Sequence, residues 1–279
     1  MEAGVGVLEL DYSQYQTVYN ILSFALASML ATTVFLLAVQ GRVLPRYRQA
    51  LVVSAMVCLI AAYHYYRIFD SFRHSYVAVD EGSAATAMNA MSYMLVNGEG
   101  FNEGYRYVDW LLTVPLLLFE AIAVLALPRA VRKSLLMKLI PASALMIILG
   151  YPGEIAVDTA PKAIWGALST IPFLYILYIL FVELTKATKT QPGQVGKDVN
   201  GLRWLLLATW GVYPISYMIP MFGIEGADAF VWRQVGYSVA DVLAKCLFGL
   251  LIYKIVREKS SVDSAEFNAA ELEEAPSSR

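Results

Sequence analysis

Long apolar segments separated by short polar stretches dominate the chain. A helix needs about 20 predominantly apolar residues to cross a bilayer, and the segments approach that length. The pattern therefore predicts an all-α membrane protein, a bundle of seven transmembrane helices. Flanking charges bound the segments at about residues 12–40, 49–66, 104–127, 136–151, 163–182, 202–222 and 233–256.

Composition agrees with a surface that faces lipid. Hydrophobic residues make up 58% of the 279 residues and charged residues only 16%, and the mean hydropathy is +0.55. The net charge of -2 is too small to indicate a nucleic-acid partner. The two cysteines, Cys58 and Cys246, lie inside apolar segments without the spacing of metal ligands, so no metal site is expected.

Charges in the connections predict the orientation of the chain in the membrane. The connections 1–2, 3–4 and 5–6 and the start of the tail carry Arg and Lys, whereas the opposite side is richer in acids. The positive-inside rule then places the N-terminus outside the cell and the C-terminus in the cytoplasm. Residues 71–102, on the outer side, are long enough to hold some structure such as a short hairpin. Residues 1–259 form the seven-helix domain, and the acidic residues 260–279 are expected to be a disordered cytoplasmic tail.

Two ionisable residues inside the seventh segment are candidates for a functional site. Asp241 and Lys245 are four residues apart, so they share one face of a helix. They can be read as a structural ion pair. They can also be read as a reactive lysine, because a lysine in an apolar pocket forms a Schiff base with a carbonyl cofactor. In that case Asp241 supplies the buried negative charge that the protonated Schiff base needs.

The third segment carries four polar residues at helical spacing. Arg106 lies one turn before Asp109, Thr113 lies one turn after it, and Glu120 is eleven residues after it. Eleven residues place both carboxyls on one face, about 16 Å apart along the helix axis. A protonated base between them could release its proton to Asp109 and be refilled from Glu120, which gives an outward proton path. Alternatively, Glu120 is an interfacial carboxyl near a helix end.

One histidine and several aromatic residues lie at a similar depth. His64, late in the second segment, is either a satisfied polar residue or a partner of Asp109 that favours its ionised form. The aromatic residues suit a core, but beside a buried lysine they also suit a cage for a long conjugated apolar ligand. They include Trp110, Trp210, Tyr213, Phe173 and Tyr237.

Three motifs resemble those of microbial rhodopsins. Arg106-Tyr-Val-Asp-Trp-Leu-Leu-Thr-Val-Pro-Leu resembles their third helix, Trp210-Gly-Val-Tyr-Pro214 their sixth, and Ala240-Asp-Val-Leu-Ala-Lys245 their seventh. The resemblance implies that Lys245 binds all-trans retinal in a pocket at the centre of the bundle. It further implies that Asp109 and Asp241 form the counterion, that Asp109 accepts the proton, that Glu120 donates its replacement, and that Arg106 gates the exit. The residues implied to line retinal are Trp110, Met146, Gly150, Ser169, Thr170, Phe173, Trp210, Tyr213 and Pro214.

Within this family, Asp109, Thr113 and Glu120 resemble the third-helix triplet of proteorhodopsins and xanthorhodopsins, which are outward proton pumps. Chloride and sodium pumps differ at these positions. Leu117 matches the position at which proteorhodopsins tune colour, and leucine there suggests green absorption. The stretch Ile164-Trp-Gly-Ala-Leu-Ser-Thr-Ile-Pro-Phe173 resembles xanthorhodopsins in particular. Its Gly166 would leave a window that admits an antenna carotenoid, or would simply allow close helix packing.

These observations predict a light-driven outward proton pump in the cell membrane, which is a transporter and not an enzyme. Its expected partners are retinal and the lipid bilayer, and a carotenoid is a further candidate. Homo-oligomers are expected from the resemblance. The alternatives are a retinal-based photosensor that signals to a partner protein, a channel or pump for another ion, and a purely structural Lys–Asp pair. Glu120 disfavours the sensor, and Asp109 with Thr113 disfavours chloride and sodium.

Overall fold

The computed structural model describes residues 9–79, 91–96, 100–125, 127–190 and 193–274. It confirms a bundle of seven long helical rods. Six of them are α1 to α6, and the seventh consists of α7, a π-helical turn at Val242–Leu247, and α8. We call this last rod the seventh helix. The bounds are Tyr12–Ala38 (α1), Arg48–Ser75 (α2), Gly104–Ala123 (α3), Arg129–Glu154 (α4), Thr159–Thr190 (α5), Gly193–Met218 (α6), Gly226–Asp241 (α7) and Phe248–Asp263 (α8).

Several helices extend beyond the apolar segments that predicted them. The second segment ends near residue 66, but α2 continues to Ser75, and α4 begins at Arg129 and not near residue 136. Hydropathy marks only the part of a helix that lies in hydrocarbon, whereas the backbone hydrogen bonds continue into the polar interface. Five of the described helices are long and apolar enough to cross a membrane by length and composition alone. The third and seventh helices carry the charges predicted for the site.

A small sheet covers the predicted outer end of the bundle. Strands β1 (Glu9–Asp11), β2 (Tyr76–Val79) and β3 (Ser92–Leu95) are arranged in the order β1-β3-β2, and both pairings are antiparallel. The antiparallel β2–β3 pair lies within the 71–102 connection for which a short hairpin is expected, and residues 80–90 of that connection lie outside the described part. The Asp11 carboxylate accepts the Gln14 N–H and so caps α1 directly after β1.

The start of the tail differs from the expectation of disorder. The helix α8 continues to Asp263, and a further helix, α9, spans Ala265–Glu274. The Ser264 hydroxyl accepts the Phe267 N–H at 3.2 Å, which caps the first turn of α9. Alanine, glutamate and leucine are good helix formers, so the local preference for helix outweighs the polar composition on which the expectation rested. Residues 275–279 lie outside the described part of the chain.

Candidate functional site

The predicted lysine and both predicted carboxylates meet at the centre of the bundle. Lys245 lies in the π-helical turn, a rare geometry that is concentrated at functional sites. Its Nζ donates to Asp109 Oδ2 at 2.5 Å and to Asp241 Oδ1 at 2.8 Å. Lys245 is 2% exposed and both acids are fully buried. A buried amine between two acids is thus held by one residue of its own helix and one residue of α3.

Asp241 is the more firmly held of the two acids. It accepts hydrogen bonds from the Tyr65 hydroxyl at 2.8 Å, the Tyr213 hydroxyl at 2.7 Å and the Trp110 indole N–H at 3.1 Å. The Arg106 guanidinium lies 3.5 Å from its second oxygen. Four donors thus surround Asp241 in addition to Lys245.

Asp109 has far fewer partners. Its Oδ2 accepts from Lys245, but its Oδ1 has no hydrogen-bond partner among the described residues. The His64 Nδ1 lies 4.0 Å from that oxygen, beyond hydrogen-bond distance, and 2.9 Å from the Ile60 carbonyl oxygen. The predicted His64–Asp109 pair is therefore close in space without a direct hydrogen bond. The Thr113 hydroxyl donates to the Asp109 backbone carbonyl and not to its carboxyl.

Glu120 is isolated in the core. It is fully buried, and among the described residues neither of its carboxyl oxygens has a hydrogen-bond partner or an ion-pair partner. An unpaired carboxylate is very costly in an apolar interior, so this group is stable there in its neutral, protonated form. Its full burial distinguishes Glu120 from a solvated interfacial carboxyl, although it lies in the last turn of α3.

A cavity of 320 Å³ extends from Lys245 between α3, α4, α5 and α6. Its walls are mainly apolar and aromatic, and its volume is in the range of sites that bind small molecules. A long apolar carbonyl compound attached to Lys245 fits this lining, so the site is suited to retinal. All the residues predicted to contact retinal line the cavity: Trp110, Met146, Gly150, Ser169, Thr170, Phe173, Trp210, Tyr213 and Pro214.

Gly166 lines the same cavity and lies against Tyr217. A Cβ atom built on Gly166 would lie 2.7 Å from Tyr217 Cε1, so a larger residue would force the ring to move. The Tyr217 hydroxyl donates to the Lys162 carbonyl at 2.6 Å, which fixes the ring in this place. Ala163 and Thr170 line the cavity on the same helix face of α5, and both are exposed.

A buried polar network beyond Arg106 was not predicted from the sequence. Arg106 donates to the Gln234 side-chain oxygen at 2.9 Å, and the Gln234 amide donates to Glu103 at 2.6 Å. Arg233 pairs with Glu103 at 2.9 Å and with Glu154 at 3.3 Å. Glu103 and Glu154 lie at helix ends, where the sequence suggests solvated charges, whereas Arg233 and Gln234 lie within α7. One feature of the sequence could have indicated this network. Arg233 lies at the edge of an apolar segment, and a buried cation requires an acidic partner.

Comparison with known proteins gives a consistent result. The profile of the bacteriorhodopsin-like protein family matches residues 16–259. The green-light absorbing proteorhodopsin of Gamma-proteobacterium EBAC31A08 is 32% identical over 256 residues, which cover 91% of each chain. The structure of xanthorhodopsin, described as a light-driven ion pump with dual chromophore, is 45% identical and superposes with a TM-score of 0.82 over 92% of this chain and 98% of that one. Thermophilic rhodopsin is 44% identical, with a TM-score of 0.83 over 92% and 99% of the two chains.

Proposed function

The chain belongs to the bacteriorhodopsin-like family of microbial rhodopsins, and from that membership we propose that it is a light-driven pump that moves protons out of the cell. Members of the family are multi-pass membrane proteins that carry retinal and act as transporters rather than enzymes. The proposal adds the ion, the direction and the residues. Retinal, bound to Lys245 as a Schiff base, would supply light absorption and a light-driven change in geometry at Nζ.

The unequal surroundings of the two carboxylates carry the proposal. Asp109 and Asp241 both contact Lys245 Nζ, but four further donors surround Asp241 and leave Asp109 with an unused oxygen. A proton that leaves Nζ is more easily accepted by the carboxylate with fewer hydrogen bonds to lose. Asp109 is therefore the proton acceptor, and Asp241 is the permanent counter-charge.

The proposed proton path has its donor on the cytoplasmic side and its exit on the outer side. Glu120 lies eleven residues beyond Asp109 on α3, about 16 Å nearer the face that the positive-inside rule places in the cytoplasm. As a neutral buried acid, it can return a proton to Nζ. On the other side, Arg106 connects Asp241 through Gln234 to Glu103, and this chain of polar groups offers an exit towards the outside.

Glu120→Gln is expected to slow the return of the resting absorption after a light flash by about 100-fold, because an internal proton donor contributes about that much. The absorption maximum should stay nearly unchanged, since Glu120 is remote from Nζ. Time-resolved absorption spectroscopy measures both. Without an internal donor the proton must come from the solution on the cytoplasmic side, so the recovery rate should be proportional to the proton concentration there and should fall as that pH rises.

Glu120→Asp is the matched control, because it keeps a carboxyl group at the same depth. It should recover faster than Glu120→Gln and show little dependence on pH. An unaltered recovery in Glu120→Gln would remove Glu120 as the donor and would favour the alternative of a photosensor, which has less need for fast reprotonation.

A carotenoid antenna is a second proposal, supported by the outer wall of the cavity. Small residues line it on one face of α5, at Ala163, Gly166, Ala167 and Thr170, and the face is open to lipid at all but Gly166, which is partly covered. The related xanthorhodopsin is described as having a dual chromophore. An extended carotenoid could lie along this face with one ring against Gly166 and Tyr217, close enough to retinal for energy transfer.

Gly166→Trp should abolish energy transfer from an added carotenoid while the retinal absorption remains. The indole would fill the space against Tyr217 and close the face that is open to lipid. The excitation spectrum of retinal fluorescence, with and without carotenoid, measures the transfer. Leu168→Trp is the control, since Leu168 is exposed on α5 but does not line the cavity. Transfer that persists in Gly166→Trp would contradict the window.

A further inference from the structure

A second cleft lies at the predicted cytoplasmic end of α3 and α4 and shares no lining residue with the retinal cavity. Its volume is 550 Å³. Its lining combines three basic side chains, Arg129, Arg132 and Lys133, with apolar side chains that include Phe119 and Met137. A cleft that is cationic at one end and apolar at the other is complementary to a molecule with an anionic head and an apolar chain.

The lining residues of α4 form a single helical stripe. They fall at 129, 132, 133, 136, 137, 140 and 141, the spacing of one helix face. The three basic residues lie within the first five residues of α4, and the lining residues that follow them, Leu136, Met137, Ile140 and Pro141, are apolar. From Lys133 to Pro141 the stripe covers about 12 Å along the helix axis, which carries it from the interface into the hydrocarbon region.

Among the described residues, the three cations of the cleft have no acidic partner. In the described part of the chain, none of Arg129, Arg132 and Lys133 takes part in an ion pair, and no acidic residue lines the cleft. Other basic residues on this face do have partners, for example Arg46 with Asp263 at 2.8 Å. Pro128, which precedes α4, provides no side-chain cap, so the positive end of the helix adds to the field. No described residue supplies a negative charge to the cleft. A negatively charged ligand would therefore complement its three cations.

We propose that this cleft binds one anionic phospholipid of the cytoplasmic leaflet. The phosphate lies against the basic first turn of α4, and one acyl chain follows the apolar part of the stripe past Met137 and Pro141. Basic pockets between membrane helices on the cytoplasmic side bind anionic head groups in this way. The cleft is separate from the retinal cavity, because the two share no lining residue and Lys245, Asp109 and Asp241 do not line the cleft.

Native mass spectrometry of the full chain in detergent, titrated with phosphatidylglycerol, tests the proposal. One adduct is expected at low lipid concentration, and phosphatidylcholine should bind at least about fivefold more weakly, because a zwitterion lacks the net charge. The double variant Arg132→Gln/Lys133→Gln should bind phosphatidylglycerol at least about tenfold more weakly. Inorganic phosphate should not compete at equal concentration, since it lacks the acyl chain.

The double variant Arg48→Gln/Lys138→Gln is the matched control. It removes one Arg and one Lys from the same face of the protein outside the cleft, and it should bind phosphatidylglycerol like the unmodified chain. Circular dichroism should show that both variants remain helical. Equal binding by the two double variants, or equal binding of the two lipids, would overturn the proposal. If the unmodified chain forms a dimer that the Arg132→Gln/Lys133→Gln variant loses and the control keeps, the cleft would instead bind a second copy of the chain. A cross-link from Lys133 to residues 266–274 that the lipid does not displace would assign it to the acidic tail.

Discussion

Lys245→Ala is expected to give a colourless protein that pumps no protons. Among the described residues that line the 320 Å³ cavity, Lys245 alone carries an amine that can form a Schiff base, so its loss removes the attachment point of retinal. The substitution also leaves Asp109 and Asp241 facing each other without the cation that both contact. Breaking a buried ion pair costs about 3–5 kcal/mol, so the melting temperature should fall even if one acid takes up a proton.

Visible absorption after addition of retinal and the melting temperature by circular dichroism measure the two effects of Lys245→Ala. Lys254→Ala is the control on the same helix, since Lys254 is half exposed and pairs with Asp198 away from the cavity. It should keep its colour and its melting temperature within a few degrees. A coloured Lys245→Ala protein with covalently attached retinal would contradict the assignment of the lysine.

Asp109→Asn is expected to reduce pumping to below about 1% of the unmodified protein, because a positioned proton acceptor contributes at least about 100-fold. The protein should still fold and bind retinal. Lys245 keeps Asp241 at 2.8 Å as its counter-charge, and the amide replaces a carboxylate whose second oxygen makes no hydrogen bond in the described structure. The absorption maximum should shift, since one of the two negative charges beside Nζ is lost.

Asp241→Asn should behave differently from Asp109→Asn, and this difference tests the assigned roles. The substitution disturbs the hydrogen bonds from Tyr65, Tyr213 and Trp110 and removes the partner of Arg106. A loss of about 3–5 kcal/mol of stability is expected, together with poor retinal binding. Melting curves and pumping rates of the two variants compare them directly. A stable Asp241→Asn protein that cannot pump, beside an active Asp109→Asn protein, would reverse the two roles.

The sequence predicted the bundle because lipid imposes one strong constraint, an apolar stretch of the right length for each span. It predicted Lys245, Asp109 and Asp241 as one site because charges inside such stretches are rare and two of them share a helix face. It did not predict the π-helical turn at Lys245, since no local residue pattern distinguishes a single wide turn from an α-helix. Nor did it predict the hydrogen bonds that distinguish the two carboxylates, because Tyr65 and Tyr213 reach Asp241 from two other helices.

The buried polar network beyond Arg106 shows a second limit of prediction from the sequence. Glu103 and Glu154 stand at helix ends, where acids are normally solvated, and only the fold brings both to Arg233. The tail shows the reverse case, since local helix preference determines α9 and composition alone suggested disorder. Predictions were thus strongest where the membrane fixes the outcome, and weakest where packing between distant segments or local capping decides it.

Light-induced pH change in an unbuffered suspension of cells that express the protein with retinal tests outward proton pumping most directly. Acidification of the medium on illumination, abolished by a protonophore and absent in the Asp109→Asn variant, is the predicted result. Visibly coloured cells that produce no pH change, or that make the medium alkaline in a way the protonophore abolishes, would contradict an outward proton pump. The first of these results would assign the site to light sensing or to another ion, and the second would reverse the direction of transport.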